Sequence, residues 1–236
     1  MRQYSIILLI LSLVGPLRAE EEALVSIQFR VYPVLNVDTD GILYAPAPDE
    51  EMVELEFRGG ARSAVTYEYK GPPILNFYRE NGTDPSGEKI YRVVGIAEVS
   101  EAETLIFFTP APNRGGNEFE FSLLALDDGP QGLPANHVTF LNFTPVPFAC
   151  RFMDKDFFIQ PGPHPPISVE RDLEKDLFIG LAVTNENINQ VVLKSRWRFN
   201  EGNRHYILLL PPRREGSFRI RAYRVTEFIG DFAEFN

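Results

Sequence analysis

Tyr206-Ile207-Leu208-Leu209-Leu210 is apolar at every position, which suits a central β-strand covered on both faces. Pro211-Pro212 and Arg214-Glu215-Gly216 follow it, and then Phe218-Arg219-Ile220-Arg221, which alternates apolar and charged residues. Such alternation puts one face of a strand toward a core and the other toward water. The same succession occurs earlier in the chain. Leu105-Ile106-Phe107-Phe108-Thr109 leads into Pro110-Ala111-Pro112, then Arg114-Gly115, then Glu118-Phe119-Glu120-Phe121. Both read as apolar strand, proline turn, Arg and Gly, alternating strand, so the two halves read as related. A weaker echo joins Ala64-Val65-Thr66-Tyr67-Glu68-Tyr69 to Phe148-Ala149-Cys150-Arg151-Phe152-Met153.

Working outward, further strand-like runs fall at 25–32, 53–57, 64–69, 74–78, 90–97 and 104–109, and at 118–126. The second half offers 137–143, 148–153, 156–160, 177–183, 191–199, 205–210 and 217–225. Pro, Gly, Asn and Asp punctuate them, as expected of antiparallel sandwiches. A helix is expected only over Ser168–Asp176, with Ser168 as its N-cap. The expected fold class is all-β: two tandem antiparallel β-sandwich domains, immunoglobulin-like, after a cleaved signal peptide. Leu126-Asp127-Asp128-Gly129-Pro130-Gln131-Gly132-Leu133-Pro134 is the best boundary. It divides the chain into a signal peptide at 1–19, an acidic sandwich at 20–128, a linker at 129–134 and a second sandwich at 135–236 carrying a basic sheet face.

Arg2, the apolar run Ile6–Val14 and the exit Gly15-Pro16-Leu17-Arg18-Ala19 follow the layout of a secretory signal. The run is too short to span a bilayer, so the expected location is secreted or periplasmic, with no transmembrane segment. The single Cys150 excludes an internal disulfide and reads as a small buried hydrophobe. Charge is unevenly spread. Residues 20–132 hold 8 basic and 21 acidic side chains, whereas 133–236 hold 13 and 12. Nine of those basic residues fall between Lys194 and Arg224, with only Glu201 and Glu215 opposing them.

Asn36-Val37-Asp38-Thr39-Asp40-Gly41 mimics the start of a calcium loop, but Ala47 stands where a bidentate Glu would close it. It therefore reads as an Asp-Gly turn. Asn81-Gly82-Thr83 and Asn142-Phe143-Thr144 fit the glycosylation pattern. Trp197 lies between Arg196 and Arg198, and alternation places Ser195, Trp197 and Phe199 on one face and Lys194, Arg196 and Arg198 on the other. Trp197 is thus expected in the core. No nucleophile elbow, His-Glu-x-x-His, phosphate-cradling glycine loop or dinucleotide fingerprint is present. No cofactor or metal is implied.

These features point to a non-enzymatic exported protein acting by protein–protein interaction in an envelope or surface assembly. Arg196, Arg198, Arg219 and Arg221 are the candidate contact residues, forming a basic face for another protein or the chain's own acidic half. Two alternatives remain: a polysaccharide-binding module using Tyr44, Tyr67, Tyr69 and Tyr78, or a hydrolase using paired acids. A pI near 4.9 and the absence of a binding module argue against nucleic acid.

Overall fold

A computed structural model describes residues 24–35, 37–111, 119–129, 131–185, 188–214, 217 and 219–229. The export segment, Asn36 of the acidic turn, and residues 112–118, 215, 216 and 218 of the proposed repeat lie outside them. The strands of the first half are β1 (Val25–Pro33), β2 (Ile42–Tyr44), β3 (Val53–Glu54), β4 (Tyr67–Gly71), β5 (Ile74–Thr83), β6 (Lys89–Glu98), β7 (Glu103–Pro110) and β8 (Phe121–Asp127). Those of the second are β9 (His137–Asn142), β10 (Phe148–Phe152), β11 (Lys155–Ile159), β12 (Gly162–Pro163), β13 (Ile167–Ser168), β14 (Asp176–Asn185), β15 (Ile188–Arg198), β16 (Asn203–Leu210) and β17 (Arg221–Phe228). The protein is all-β, with four mostly antiparallel sheets, and each strand-like run contains a strand. The expected helix is only a 3-10 turn, Glu170–Asp172, preceded by Val169 with no side-chain cap. Leu173 and Glu174 leave the helical region, Glu174 with φ of 62°.

The sheets run β3-β2-β5-β6 and β4-β1-β7-β8 in the first half, and β11-β10-β14-β15 and β12-β9-β16-β17 in the second, with β13 also on β9. Strand positions therefore match one for one. In each half the first strand lies parallel to the penultimate one: β1 on β7 from Gln28↔Glu103, and β9 on β16 from His137↔Arg204. The second strands pair antiparallel through β5 or β14, and both β5–β6 and β14–β15 carry a bulge that tucks in a valine, Val94 or Val192. The stronger sequence repeat, β7 with β16, thus joins equivalent strands. The weaker echo does not, because residues 67–69 lie in β4 and 148–152 in β10, which occupy different places in their sheets.

Three cores result. Phe29, Phe77, Phe108 and Phe121 lead the first, between β3-β2-β5-β6 and β4-β1-β7-β8. Phe108 meets Phe57, Phe77 and Phe121 edge-on at 5.1, 5.0 and 5.6 Å, the geometry aromatic quadrupoles favour. Phe140, Phe148, Phe152 and Phe199 lead the second, where Cys150 is buried as expected, its thiol pushed up to about 12 chiefly by burial. The third lies between the halves: Tyr32, Leu105 and Phe107 face Leu141, Tyr206, Leu208 and Leu210. The molecule is therefore four layers deep, with two inner sheets meeting face to face. This explains the unbroken apolar runs at 105–108 of β7 and 206–210 of β16, since each sits between two cores. Leu133, in the expected linker, is buried in the third core.

Candidate interaction surface

Strands β15 and β17 belong to different sheets, and the four candidate arginines separate accordingly. Arg196 and Arg198 are exposed on the outer face of β15. Arg198 Nε lies 3.4 Å from the Asp176 carboxylate across the strand pair. Arg221 is half-buried on β17 and donates to the Pro211 carbonyl at 3.0 Å. It shares strand parity with Tyr223 and Val225, which pack on the inter-half core. Arg219 is exposed ahead of β17. The single basic face expected from the sequence is therefore replaced by a pair on an outer sheet and two residues elsewhere. Arg224 links the edges: it donates to the Arg198 carbonyl at 2.7 Å and lies over Trp197 and Phe199. Trp197 packs half-buried against the second core, as expected.

Contact between the halves uses other charges. Arg62 donates to both oxygens of Asp128 at 2.6 and 3.1 Å and to Glu227 Oε1 at 2.7 Å. Arg204 donates to Asp128 Oδ1 at 2.6 Å and to Glu227 Oε2 at 3.0 Å. Each half supplies one arginine and one acid. Burial works against the Arg62 charge, but its hydrogen bonds to Glu227 and Asp128 outweigh it and raise its pKa. The Arg204 side chain is only 6% exposed, so loss of one partner would strand a desolvated charge. Beside this cluster the Tyr206 hydroxyl is buried with no hydrogen-bond partner among the described residues, and burial raises its pKa.

The outer face of β11-β10-β14-β15 carries the feature that sequence reading missed. Register aligns Phe158, Ala149, Ala182 and Val191 in one row, and Asp156, Arg151, Gly180 and Lys194 in the next. Two alanines and a glycine form the floor of a trough of about 450 Å³. Phe158 and Val191 stand at its rims, 63% and 53% exposed. A Cβ on Gly180 would lie 2.9 Å from the Phe178 ring, so that ring already leans over the glycine. Lys194 and Arg196 continue this face and form no ion pair among the described residues. One signal was present: Phe157-Phe158 are adjacent on a strand, so one of them must face outward.

The alternatives fare differently. Tyr44, Tyr67 and Tyr69 are buried in the first core and cannot form a sugar platform; Tyr78 is half-buried on an outer face. Asp38 accepts from the Asp40 amide and from Arg79, which together hold its carboxyl below the usual range. An arginine therefore occupies the turn that resembled a calcium loop. Among the described residues no group of three His, Cys, Asp or Glu is placed to hold a metal. A cleft of about 340 Å³ between the halves is lined by Glu98, Glu101, Asp127 and His164, but Asp127 Oδ1 already accepts the Gly129 amide at 2.8 Å. Asn142 of the second glycosylation tripeptide is buried and bonded to Thr144 and Val146, whereas Asn81 is exposed. Among the described residues no helix is long and apolar enough to cross a membrane. The sequence matches no family model and no curated protein.

Proposed function

We propose that the chain is an exported, non-enzymatic protein of two tandem immunoglobulin-like domains, 20–128 and 135–236, that acts by protein–protein contact in an envelope or surface assembly. The observation that carries this reading is the trough floored by Ala149, Gly180 and Ala182, with Phe158 and Val191 exposed at its rims. Large apolar side chains grouped on one face of a sheet are the usual mark of a contact surface. Arg196, on the same face, supplies charge for steering rather than the bulk of the affinity. Arg198, half neutralised by Asp176, plays the smaller part.

Site-specific photo-crosslinking in cells that make the protein tests the reading. A crosslinker at Phe158 or Val191 should yield protein adducts, while one at the exposed hairpin residue Glu88 should not. Equal yields at all three positions, or none at the first two, would overturn it. Export is checked separately: the mature protein should begin at Glu20 by mass spectrometry, and an intact Met1 would refute cleavage.

A further inference from the structure

The matching bulges let the two outer sheets be aligned residue by residue. Tyr78 pairs with Val93 as Ala182 pairs with Val191, and Leu43 lies beside Tyr78 as Ala149 lies beside Ala182. The first half thus has Leu43 and Tyr78 where the second has two alanines. Its outer face is a ridge, and the other is a trough. Charge inverts at one equivalent position of this face. Glu98, opposite Ile74, is the equivalent of Arg196, opposite Phe178. Glu54, beside Leu43, is exposed, and neither it nor Glu98 forms an ion pair among the described residues. Ile74 and Ile96 add exposed apolar surface to this face, at 49% and 39%.

Because the inner sheets of both halves are covered by each other, these two outer faces lie on opposite sides of the four-layer stack and cannot meet within one chain. We infer that the trough on β11-β10-β14-β15 receives the Leu43/Tyr78 ridge of a second copy, with Glu54 and Glu98, on the two edge strands of that copy's sheet, supplying the negative potential that draws Lys194 and Arg196. The inference rests on the trough being a contact surface and names its occupant. Shape and charge both assign the second copy: a ridge meets a trough, and acids meet bases. Different patches meet on the two partners, so the contact is heterologous and generates open head-to-tail rows rather than closed dimers. The opposite charges speed encounter and set the register, and make the association sensitive to salt.

Sedimentation of the full chain at concentrations up to about 1 mM, the weak end of protein affinities, tests this. Species should grow beyond dimers at low salt and revert toward monomer at high salt. Lys194→Glu with Arg196→Glu should weaken association by on the order of a hundredfold, as should Glu54→Lys with Glu98→Lys. Each pair is exposed, so unchanged thermal unfolding will show that the fold is intact. Mixing the two variants in equal amounts should restore association, because an acidic ridge again meets a basic trough. A monomeric wild type, a closed dimer, or association unaffected by the Glu54/Glu98 reversal would overturn the inference. Adducts at Phe158 that contain only a different protein would also overturn it while leaving the contact surface standing. Absence of adducts would remove both.

Discussion

The two halves share strand order, parallel first strand and outer-sheet bulge, yet they differ more on their outer faces than on the faces where they meet. On the inner sheets, equivalent positions stay alike: Leu105 and Phe107 of β7 correspond to Tyr206 and Leu208 of β16, and all four are buried in the third core. Asp128 and Glu227 are equivalent in the same way, both following the register of the last strand. On the outer sheets Tyr78 corresponds to Ala182 and Glu98 to Arg196. A surface that meets its own counterpart is held to one chemistry. A surface free of that constraint can diverge in shape and sign. The division of labour is therefore that inner faces hold the molecule together and outer faces are available to partners.

The largest effect is expected at the ion cluster between the halves. Arg204→Ala would leave Asp128 and Glu227 short of a partner in a nearly dry interface. We expect a loss of about 3–5 kcal/mol, read by urea or thermal unfolding, with no change in association per folded molecule. The next test uses His205, the counterpart of Thr104. Its ring is buried against Phe199, with Nδ1 3.0 Å from Thr226 Oγ1. Burial first, and then the Arg224 charge, lower its pKa to about 4. The unfolded ring takes up a proton near pH 6.5, and the folded one only near 4. Stability from this residue is thus complete above about pH 6.5 and is lost as pH falls toward 4, by roughly 3 kcal/mol. In His205→Thr, which restores the counterpart's residue, that part of the pH dependence should vanish. An identical pH profile for both proteins would refute the assignment.

From the outside, Ala149→Leu combined with Ala182→Tyr gives the trough the residues of the ridge. Stability should change by less than about 1 kcal/mol, as for most surface substitutions, while head-to-tail association disappears. Survival of association would show that the trough's shape is irrelevant. The smallest effect belongs to Arg198→Ala. Its partner Asp176 is more than half exposed, so the loss should stay below about 0.5 kcal/mol. A larger loss would mean that Arg198 matters through its carbonyl's environment at Arg224 rather than through its charge.

Much of this architecture was readable in the chain. Phe148-Ala149-Cys150-Arg151-Phe152 alternates as a strand should, and its Phe and Cys side chains are indeed inward. The unbroken apolar run at 206–210 correctly signalled a strand covered twice. What remained hidden depended on register and on sheet membership. Alternation says which residues share a face of one strand, but not that β15 and β17 would join different sheets, so four arginines close in sequence were read as one surface. The Gly- and Pro-rich segment 129–134 looked like a tether because composition does not reveal that Leu133 seals a core. Ala149 and Ala182 are unremarkable in sequence, and only strand pairing makes them neighbours. The three-residue strand β2 was too short to show periodicity, and it carries Leu43, half of the ridge.

The buried contact between the inner sheets has one more consequence. A half cut loose would present Tyr206, Leu208 and Leu210, or Leu105 and Phe107, to water, together with half of an ion cluster. The peptide at 129–134 thus joins two bodies that already adhere, and its Leu133 is part of the contact. A protease nick there should leave the two fragments travelling together, much as a dimer does whose subunits happen to have been written into one reading frame.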